Sequence, residues 1–214
     1  MSKVLNPEKA LIFRITHVDN VPWILSNGLH CRSSDLLDPN FVNIGNLELI
    51  DKRQHRVVDI PPSGTLSDYV PFYFTPFSPM MLNIKTGWGG ITKRSNQEIA
   101  IMVSSLHKLA DGGRRFVFSD RHAYLQAAQF YSGLAELNRI DWAILQARNF
   151  KRDSDDMDRF ERYQAEALVH RHMPVESLLG IVCYDAVVKR GLDALVADCD
   201  IGLKIVAKPG WYFS

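Results

Sequence analysis

The stretch ERYQAEALVHRHMP, residues 161–174, places one carboxylate, Glu166, inside an apolar run. In a β-strand, successive side chains point to opposite faces. A buried carboxylate costs several kcal/mol unless it is paired or takes part in chemistry. The stretch therefore predicts a core strand that packs Ala165, Ala167 and Val169 on one side and turns Glu166 to the other, where something must compensate its charge.

Further elements are predicted from apolar periodicity and from breaks at Gly, Pro and Asp. The other predicted strands are ALIFRIT (10–16), DYVPFYFTP (68–76), EIAIMVSSL (98–106), RFVFSD (115–120), LLGIVCYD (178–185) and IGLKIVAKPGWYF (201–213). Helices are predicted from a cap at Asp19 or Asn20 through Leu25, over 46–56, over HAYLQAAQFYSGLAELN (122–138) and over VVKRGLDALVAD (187–198). This order predicts an α+β fold around a split or bent sheet, in one domain over 1–214.

Composition and missing motifs exclude several classes of protein. The net charge is +1, so any nucleic-acid contact needs a local basic patch. The chain has no run of 18 apolar residues and no signal-peptide pattern at its start, so we expect a cytoplasmic protein without membrane contact. Three widely spaced cysteines predict buried free thiols. The motifs GxGxxG, GxxxxGK[ST] and GxSxG are all absent, which argues against a Rossmann dinucleotide site, a P-loop and a serine hydrolase.

Metal binding is not predicted. His170 and His172 would place two imidazoles on one face of a strand, but no third ligand lies near them in sequence. We therefore expect a site without a metal.

A family resemblance rests on five stretches that span nearly the whole chain. They are ALIFRITHVDNVPWIL (10–25), GTLSDYVPFYFTPFSPM (64–80), FVFSDRHAY (116–124), RYQAEALVHRHMP (162–174) and GWYF (210–213). Together they resemble the DarT-type DNA ADP-ribosyltransferase toxins of DarTG toxin–antitoxin modules. The resemblance implies an ADP-ribosyltransferase (PARP-like) fold, in which helices surround a split β-sheet with an NAD+ cleft.

The resemblance also implies an activity and a partner. Such toxins use NAD+ as co-substrate and transfer ADP-ribose to a base in single-stranded DNA, most often thymidine and in some members guanosine. Nicotinamide is released and DNA replication is blocked. The expected partner is a macrodomain antitoxin that removes ADP-ribose from DNA.

Two residues match catalytic positions of the family. Glu166 matches the glutamate that stabilises the oxocarbenium-like sugar. Arg53 matches an arginine that binds NAD+ and is described as taking the proton from the base. Because a guanidinium stays protonated in ordinary protein sites, Arg53 could instead hold a phosphate or carbonyl and stabilise charge on the base.

The remaining site residues follow from the same resemblance. Arg14, Ile15 and Thr16 are expected to meet the nicotinamide amide and its ribose, although many ADP-ribosyltransferases have His at the first of these positions. Tyr73 is expected to stack on nicotinamide, and Trp23 and His30 to line the adenine and ribose side. The segment from about 36 to 55 is expected to cover NAD+.

The region from about 122 to 166 is the expected substrate-recognition element. It and its flank mix aromatic rings with cations, which suits a single strand with exposed bases. The predicted DNA-binding residues are Arg121, His122, Tyr124, Arg148, Lys151 and Arg152. Two alternatives stay open, namely ADP-ribosylation of RNA or protein, and a non-catalytic module that binds single-stranded nucleic acid. The sequence does not determine the base, the antitoxin interface or the oligomeric state.

Overall fold

Strands and helices are interspersed along the chain. The structure, a computed structural model, describes residues 5–199 and 201–214. Its strands are β1 (Leu11–His17), β2 (Leu29–His30), β3 (Val57–Val58), β4 (Gly64–Thr65), β5 (Tyr69–Tyr73), β6 (Ile99–Ser105), β7 (Phe116–Ser119), β8 (Phe130–Tyr131), β9 (Glu166–His170), β10 (His172–Met173), β11 (Gly180–Cys183) and β12 (Ile205–Ala207). Its α-helices are α1 (Val21–Asn27), α2 (Leu47–Arg53), α3 (Pro79–Thr86), α4 (Leu106–Asp111), α5 (Trp142–Ala147), α6 (Arg159–Arg162) and α7 (Ala186–Asp198).

Eight of the described strands form one sheet in the order β12-β11-β6-β1-β5-β9-β7-β8. β1 pairs with β6 along its whole length, from Leu11 opposite Ser105 to His17 opposite Ile99. On its other side, β1 meets β5 at a single described position, where Phe13 lies opposite Tyr73. The two halves of the sheet diverge beyond this pair and leave a cleft between β1 and β5. The prediction of an α+β fold around a split sheet is therefore confirmed.

The hydrophobic core fills both sides of the central strands. Every residue of β6 is buried, and β9 is buried up to Val169. Along β9, Ala167 and Val169 join the main core, whereas Leu168 packs in a smaller cluster with Leu66 and other residues on the opposite face. The expected alternation is confirmed, because Glu166 precedes Leu168 by two residues and shares its face.

The first helix and its ends set one wall of the cleft. α1 follows Asn20 and carries Pro22 in its first turn, as the sequence predicts. It ends at Gly28, whose φ of 77° is in the left-handed region. A Cβ at Gly28 would lie 2.5 Å from His172 Nε2 and 2.6 Å from the carbonyl of Met173, so only glycine lets β10 pack directly on the helix end.

The predicted short polar helix is also confirmed. The side chain of Asn46 accepts a hydrogen bond from the backbone N–H of Leu49 and caps α2. None of the residues of α2 is buried by its overall exposure, so the helix lies on the surface rather than in the core. Arg53, its last residue, extends inward from this helix to the interior.

The predicted helix over 122–138 is wrong. Turns follow Arg121, and Phe130 and Tyr131 then form β8, which pairs with Ser119 and Phe118 of β7. The rings of Phe118 and Tyr131 stack with centroids 5.5 Å apart. Without β8, the backbone N–H and C=O groups on one side of β7 would have no partner strand. The hydrogen bonds of this pairing outweigh the helical propensity of a segment whose apolar pattern is imperfect. A 3-10 helix covers Leu134–Arg139.

Smaller differences concern strand ends and one cysteine. His170 and His172 do not share one strand face, because Arg171 between them has a φ of 63° and separates β9 from β10. The predicted last strand is reduced to β12 and followed by a turn. Cys31 and Cys183 are buried free thiols as predicted, but Cys199 is exposed. No helix within 5–199 and 201–214 is long and apolar enough to cross a membrane.

Candidate active site

A cavity of about 460 Å³ opens where β1 and β5 diverge. Its walls come from the ends of β1 and β5, from α1 with the turn after it, and from the segment 37–53. Among the residues that line it are Arg14, Ile15, Thr16, Trp23, His30, Arg53, Tyr73, His122 and Glu166. The split of the sheet thus brings together both predicted catalytic residues and all predicted cofactor-binding residues, which lie far apart in sequence.

Glu166 is the buried carboxylate at the centre of this wall. It begins β9, lies opposite Tyr73 of β5, and is only 3% exposed. Its Oε1 accepts hydrogen bonds from Arg53 Nη1 at 3.1 Å and from the backbone N–H of Ala123 at 3.0 Å, and Oε2 lies 2.9 Å from Arg53 Nη2. Its own backbone N–H donates to the Ser119 hydroxyl at 3.3 Å. These contacts compensate the buried charge and fix the orientation of the side chain.

The protonation of the pair follows from its surroundings. Burial raises the pKa of Glu166, but Arg53, His122 and the Ala123 N–H outweigh it and hold this pKa below its ordinary value. Burial lowers the pKa of Arg53, but the Glu166 carboxylate outweighs it and raises this pKa above its ordinary value. The arrangement is a charged carboxylate facing a charged guanidinium. In this arrangement Arg53 carries its proton and cannot accept another.

His122 lies beside the same carboxylate. Its Nδ1 is 3.5 Å from Glu166 Oε1 and accepts a hydrogen bond from the backbone N–H of Tyr124 at 3.2 Å. That backbone donor places the proton of a neutral ring on Nε2. Burial lowers the pKa of His122, and Glu166 compensates this only in part, which favours the neutral ring. His122, which is predicted to contact DNA, therefore lies in the wall of the cavity.

Arg14 and Tyr73 face each other across the split. The Arg14 guanidinium donates to the carbonyl of Pro71 at 2.9 Å, and burial together with Arg53 lowers its pKa to about 10. Its Nε is buried and has no hydrogen-bond partner among the described residues. The Tyr73 hydroxyl donates to Met80 Sδ at 3.8 Å, and burial raises its pKa. The site therefore offers an unused donor next to an aromatic ring.

Trp23 and His30 form the opposite wall with α1. Their rings meet edge to face with centroids 5.6 Å apart. His30 contacts the Asn27 carbonyl and the Ser34 hydroxyl, and His172 lies against it with ring centroids 4.3 Å apart. Burial and then His172 lower the pKa of His30. Trp23 and His30 both line the cavity, and their contact with the adenine and ribose side stays a prediction.

The segment 36–46 covers one side of the cavity, and Asn20 anchors it, a role that no local sequence pattern indicates. The side chain of Asn20, 1% exposed, accepts from the Val42 N–H at 2.8 Å and donates to the Val42 carbonyl at 3.0 Å. It also donates to the Thr16 hydroxyl at 3.0 Å. The sequence predicts only a cap role for Asn20, but its side chain makes no cap bond. Met80 also lines the cavity, and it is the last residue of the stretch 64–80 that carries the family resemblance.

The other predicted DNA-binding residues lie outside the cavity. Arg121 pairs with Asp120 and Asp158, each at 3.2 Å. Arg148 stacks on the Phe77 ring at 3.8 Å from its centroid.

Arg152 and its neighbours show the same pattern. Arg152 stacks on Phe160 and lies 3.4 Å from Glu161. Lys151 is exposed, and Tyr124 is partly buried near β7. Much of the positive charge of the predicted recognition region is therefore neutralised within the protein. Among the described residues, no group of three His, Cys, Asp or Glu could hold a metal ion.

Known proteins share both the sequence and the fold. The family model described as "DarT: ssDNA thymidine ADP-ribosyltransferase, DarT" matches residues 13–213. A DNA ADP-ribosyl transferase of Escherichia coli O127:H6 is 52% identical over 213 residues, which cover 100% of this chain and 98% of that protein. The structure of Thermus sp. 2.9 DarT in complex with ADP-ribosylated ssDNA is 30% identical, with a TM-score of 0.88, over 97% of this chain and 98% of that one. The same Thermus protein in complex with NAD+ has a TM-score of 0.85 at 30% identity, over 97% of this chain and 99% of that one.

Proposed function

The chain belongs to the DarT family of single-stranded DNA ADP-ribosyltransferases, and from this membership we propose that it transfers ADP-ribose from NAD+ to thymidine in single-stranded DNA. It is thus an NAD-dependent enzyme with the ADP-ribosyltransferase fold. The choice of thymidine rests on the description of the family model. Guanosine is the alternative base, because both bases carry a ring N–H next to a carbonyl.

One observation carries the proposal, namely the buried Glu166 carboxylate that Arg53 holds charged in the wall of the cavity. NAD+ supplies the ADP-ribose and a leaving nicotinamide, whose departure creates positive charge on the sugar. A fixed carboxylate in a site of low dielectric stabilises such charge far better than water does. A cavity of about 460 Å³ also lies within the usual size range of ligand sites.

The cofactor-binding roles are proposed from the donors and rings that the cavity offers. The unpartnered Nε of Arg14 and the backbone near Ile15 and Thr16 would hold the nicotinamide amide and ribose. Tyr73 would stack on the nicotinamide ring. Trp23 and His30 would line the adenosine side, and the segment 36–55 would cover the dinucleotide.

For Arg53 we favour the electrostatic role. Glu166 keeps the guanidinium protonated, so a proton acceptor at this position would first have to leave the carboxylate. A charged Arg53 can instead bind a phosphate or a base carbonyl and stabilise negative charge that develops on the base. The residue then contributes through its charge rather than through proton transfer.

We further propose a cytoplasmic toxin that acts as one domain and blocks replication by modifying the template. The region 122–166 would contact the DNA, with Arg121, Tyr124, Arg148, Lys151 and Arg152 as candidate contacts around the cavity residue His122. Its partner would be a macrodomain antitoxin that removes ADP-ribose from DNA. These proposals rest on family membership.

Mass analysis of short oligonucleotides tests the function. The protein is incubated with NAD+ and single-stranded DNA in which thymidine or guanosine occurs once, and with duplex DNA, RNA and a protein mixture. We expect one added ADP-ribose on the thymidine-containing single strand only. Glu166→Gln should lower the transfer rate by about 10²- to 10³-fold and leave the Kd for NAD+ within a few-fold.

The matched control is Glu48→Gln, an exposed glutamate on α2 that should keep full activity. Labelling of RNA or protein without DNA would refute the proposed substrate. An active Glu166→Gln variant would refute the catalytic assignment. Modification of guanosine alone would replace thymidine as the target base and leave the rest of the proposed function in place.

A further inference from the structure

An exposed tryptophan follows α3 on a loop that projects into solvent. We call residues 87–94 the Trp88 loop. Trp88 is 71% exposed, and the other exposed aromatic side chain in the described ranges is Phe41, which lines the cavity. A Cβ at Gly89 or Gly90 would meet nothing within 4 Å. No ring stacking or cation–π contact among the described residues involves the indole, so this exposed ring is available to a flat ligand.

Basic residues flank this ring in the sequence. Residues 69–97 contain three basic residues, Lys85, Lys93 and Arg94, and no acidic residue. Arg94 is bound to Glu98 at 3.0 Å. Lys85 and Lys93 have no ion pair among the described residues, and the backbone of the Trp88 loop brings Lys93 close to Gly87, two residues from Lys85. An exposed aromatic ring with two unpaired lysines near its loop complements a base flanked by phosphates.

The predicted recognition region, in contrast to the Trp88 loop, contains more acidic than basic residues. Residues 120–166 contain nine acidic and seven basic residues. Arg159 and Arg162, like Arg121, are held by aspartates of the same region. Few of its charges are therefore free for phosphates. A negatively charged strand needs cations elsewhere, and the Trp88 loop supplies them.

The Trp88 loop also lies within reach of the cavity. Met80, in the first turn of α3, lines the cavity, and the loop begins directly after Thr86 at the other end of the same helix. An eight-residue helix is about 12 Å long at 1.5 Å per residue. That length matches about three to four nucleotides of a stacked strand at about 3.4 Å each.

We propose that the Trp88 loop is a second contact for single-stranded DNA outside the cavity, where Trp88 stacks on a base and Lys85 and Lys93 bind phosphates. The inference rests on the proposed function, because the strand must have its target base in the cavity. It assigns the loop to bases a few nucleotides from the modified one. The loop binds the strand and leaves the chemistry to Glu166.

Varying the length of the oligonucleotide distinguishes binding at the Trp88 loop from binding in the cavity. We compare wild type with Trp88→Ala on thymidine oligonucleotides of about four and about twelve nucleotides, the range of single-strand footprints. For the longer substrate, Trp88→Ala should raise KM about tenfold, the usual effect of losing one stacked base, with kcat unchanged. The shorter substrate should show equal KM values, and the Kd for NAD+ should not change. Trp88→Phe should restore most of the affinity, because a phenyl ring still stacks.

The salt dependence of binding distinguishes the phosphate contacts of the lysines from the base stacking of Trp88. Removing two phosphate contacts with Lys85→Ala/Lys93→Ala should lower the slope of log Kd against log salt by about 1.4, at about 0.7 per contact for a single strand. Trp88→Ala should weaken binding without changing that slope. The matched control is Lys9→Ala/Lys108→Ala, which removes the same charge beyond the Leu11 end of β1, away from the cavity.

Equal KM values for wild type and Trp88→Ala on the longer substrate would overturn the inference. So would an equal loss on the short substrate, or a salt slope that falls as much in the control. Binding of unmodified oligonucleotide, measured by fluorescence quenching, distinguishes failure of the inference from failure of the function. If wild type binds the long strand through Trp88 but transfers nothing to it, the proposed function fails and the contact stands.

Discussion

Arg53 and Glu166 form an ion pair that is far more buried than the surface ion pairs among the described residues. Their side chains are 13% and 3% exposed, whereas Lys52 and Glu48 on the same helix are 51% and 74% exposed. A surface pair is screened by water and contributes little. A buried pair is different, because removing one partner leaves an uncompensated charge in a medium that solvates it poorly. The two residues should therefore behave as one unit in folding and in catalysis.

A double-mutant cycle measures this coupling. Glu166→Ala should lower the free energy of unfolding by about 3–5 kcal/mol, because it leaves the buried Arg53 unpaired. Arg53→Met in the same chain should recover part of the loss, which gives a coupling energy well above that of an exposed pair. The measurement is urea unfolding of the four proteins, with Glu48→Ala and Lys52→Ala as the control cycle, where we expect a much smaller coupling energy because water screens an exposed pair. A coupling no larger than the control would contradict a tightly buried pair.

The covering segment and α2 are attached to the domain by few interior contacts. α2 contains no residue classed as buried, and the segment before it is irregular. Three contacts attach them to the interior. Ile44 of the segment joins the main core, Arg53 of α2 pairs with Glu166, and the buried Asn20 binds the backbone of Val42. An element held this way opens at low cost, which suits a cover over a ligand site.

Asn20→Ala tests the anchor. The change removes the hydrogen bonds to both backbone groups of Val42, each contributing about 0.5–1.5 kcal/mol. We expect faster hydrogen exchange across 36–46 and a Kd for NAD+ that rises about tenfold, with little change elsewhere in the chain. Asn40→Ala, an exposed asparagine in the same segment, is the control. Unchanged exchange in the segment would show that other contacts hold it.

The C-terminal segment ties the sheet together on the side away from the cavity. The buried hydroxyl of Tyr212 lies 3.0 Å from the carbonyl of Ile99 and 3.1 Å from that of Val182, and so bridges β6 and β11. Nearby, Asn96 donates to the carbonyl of Phe213. The segment joins strands at the half of the sheet that contains β1. It therefore supports one wall of the cleft without entering it.

Tyr212→Phe should separate stability from activity. The variant loses the shared hydrogen bond, and we expect the free energy of unfolding to fall by about 1 kcal/mol or more. Transfer activity at low temperature should stay at the wild-type rate, because Tyr212 does not line the cavity. Tyr184→Phe is the control, since its ring packs edge to face on Tyr212 with centroids 5.4 Å apart. A loss of activity without a loss of stability would contradict this division.

Local signals in the chain were sufficient for the strands of the main sheet other than β8 and for the helices α1, α2 and α7, but not for α3 to α6. Runs rich in apolar and branched residues predicted β1 and β6, the alternation around Glu166 predicted β9, and Pro22 and Gly28 predicted the bounds of α1, because these signals depend only on residues close in sequence. The odd carboxylate at Glu166 could be singled out for the same reason. The helix predicted over 122–138 does not form, because Phe130 and Tyr131 pair with β7, and no local pattern indicates this partner.

Long-range contacts decided the site. The approach of Arg53 to Glu166 joins positions 113 residues apart, and it depends on the divergence of β1 from β5 after one pair. The same packing turned Arg121, Arg159 and Arg162 toward aspartates. It left Lys85 and Lys93, at the two ends of the turn that carries Trp88, without an ion pair among the described residues. Composition and spacing specify which charges a chain carries. Which of those charges stay free depends on the partners that folding brings within a few ångströms, where electrostatic energy is largest.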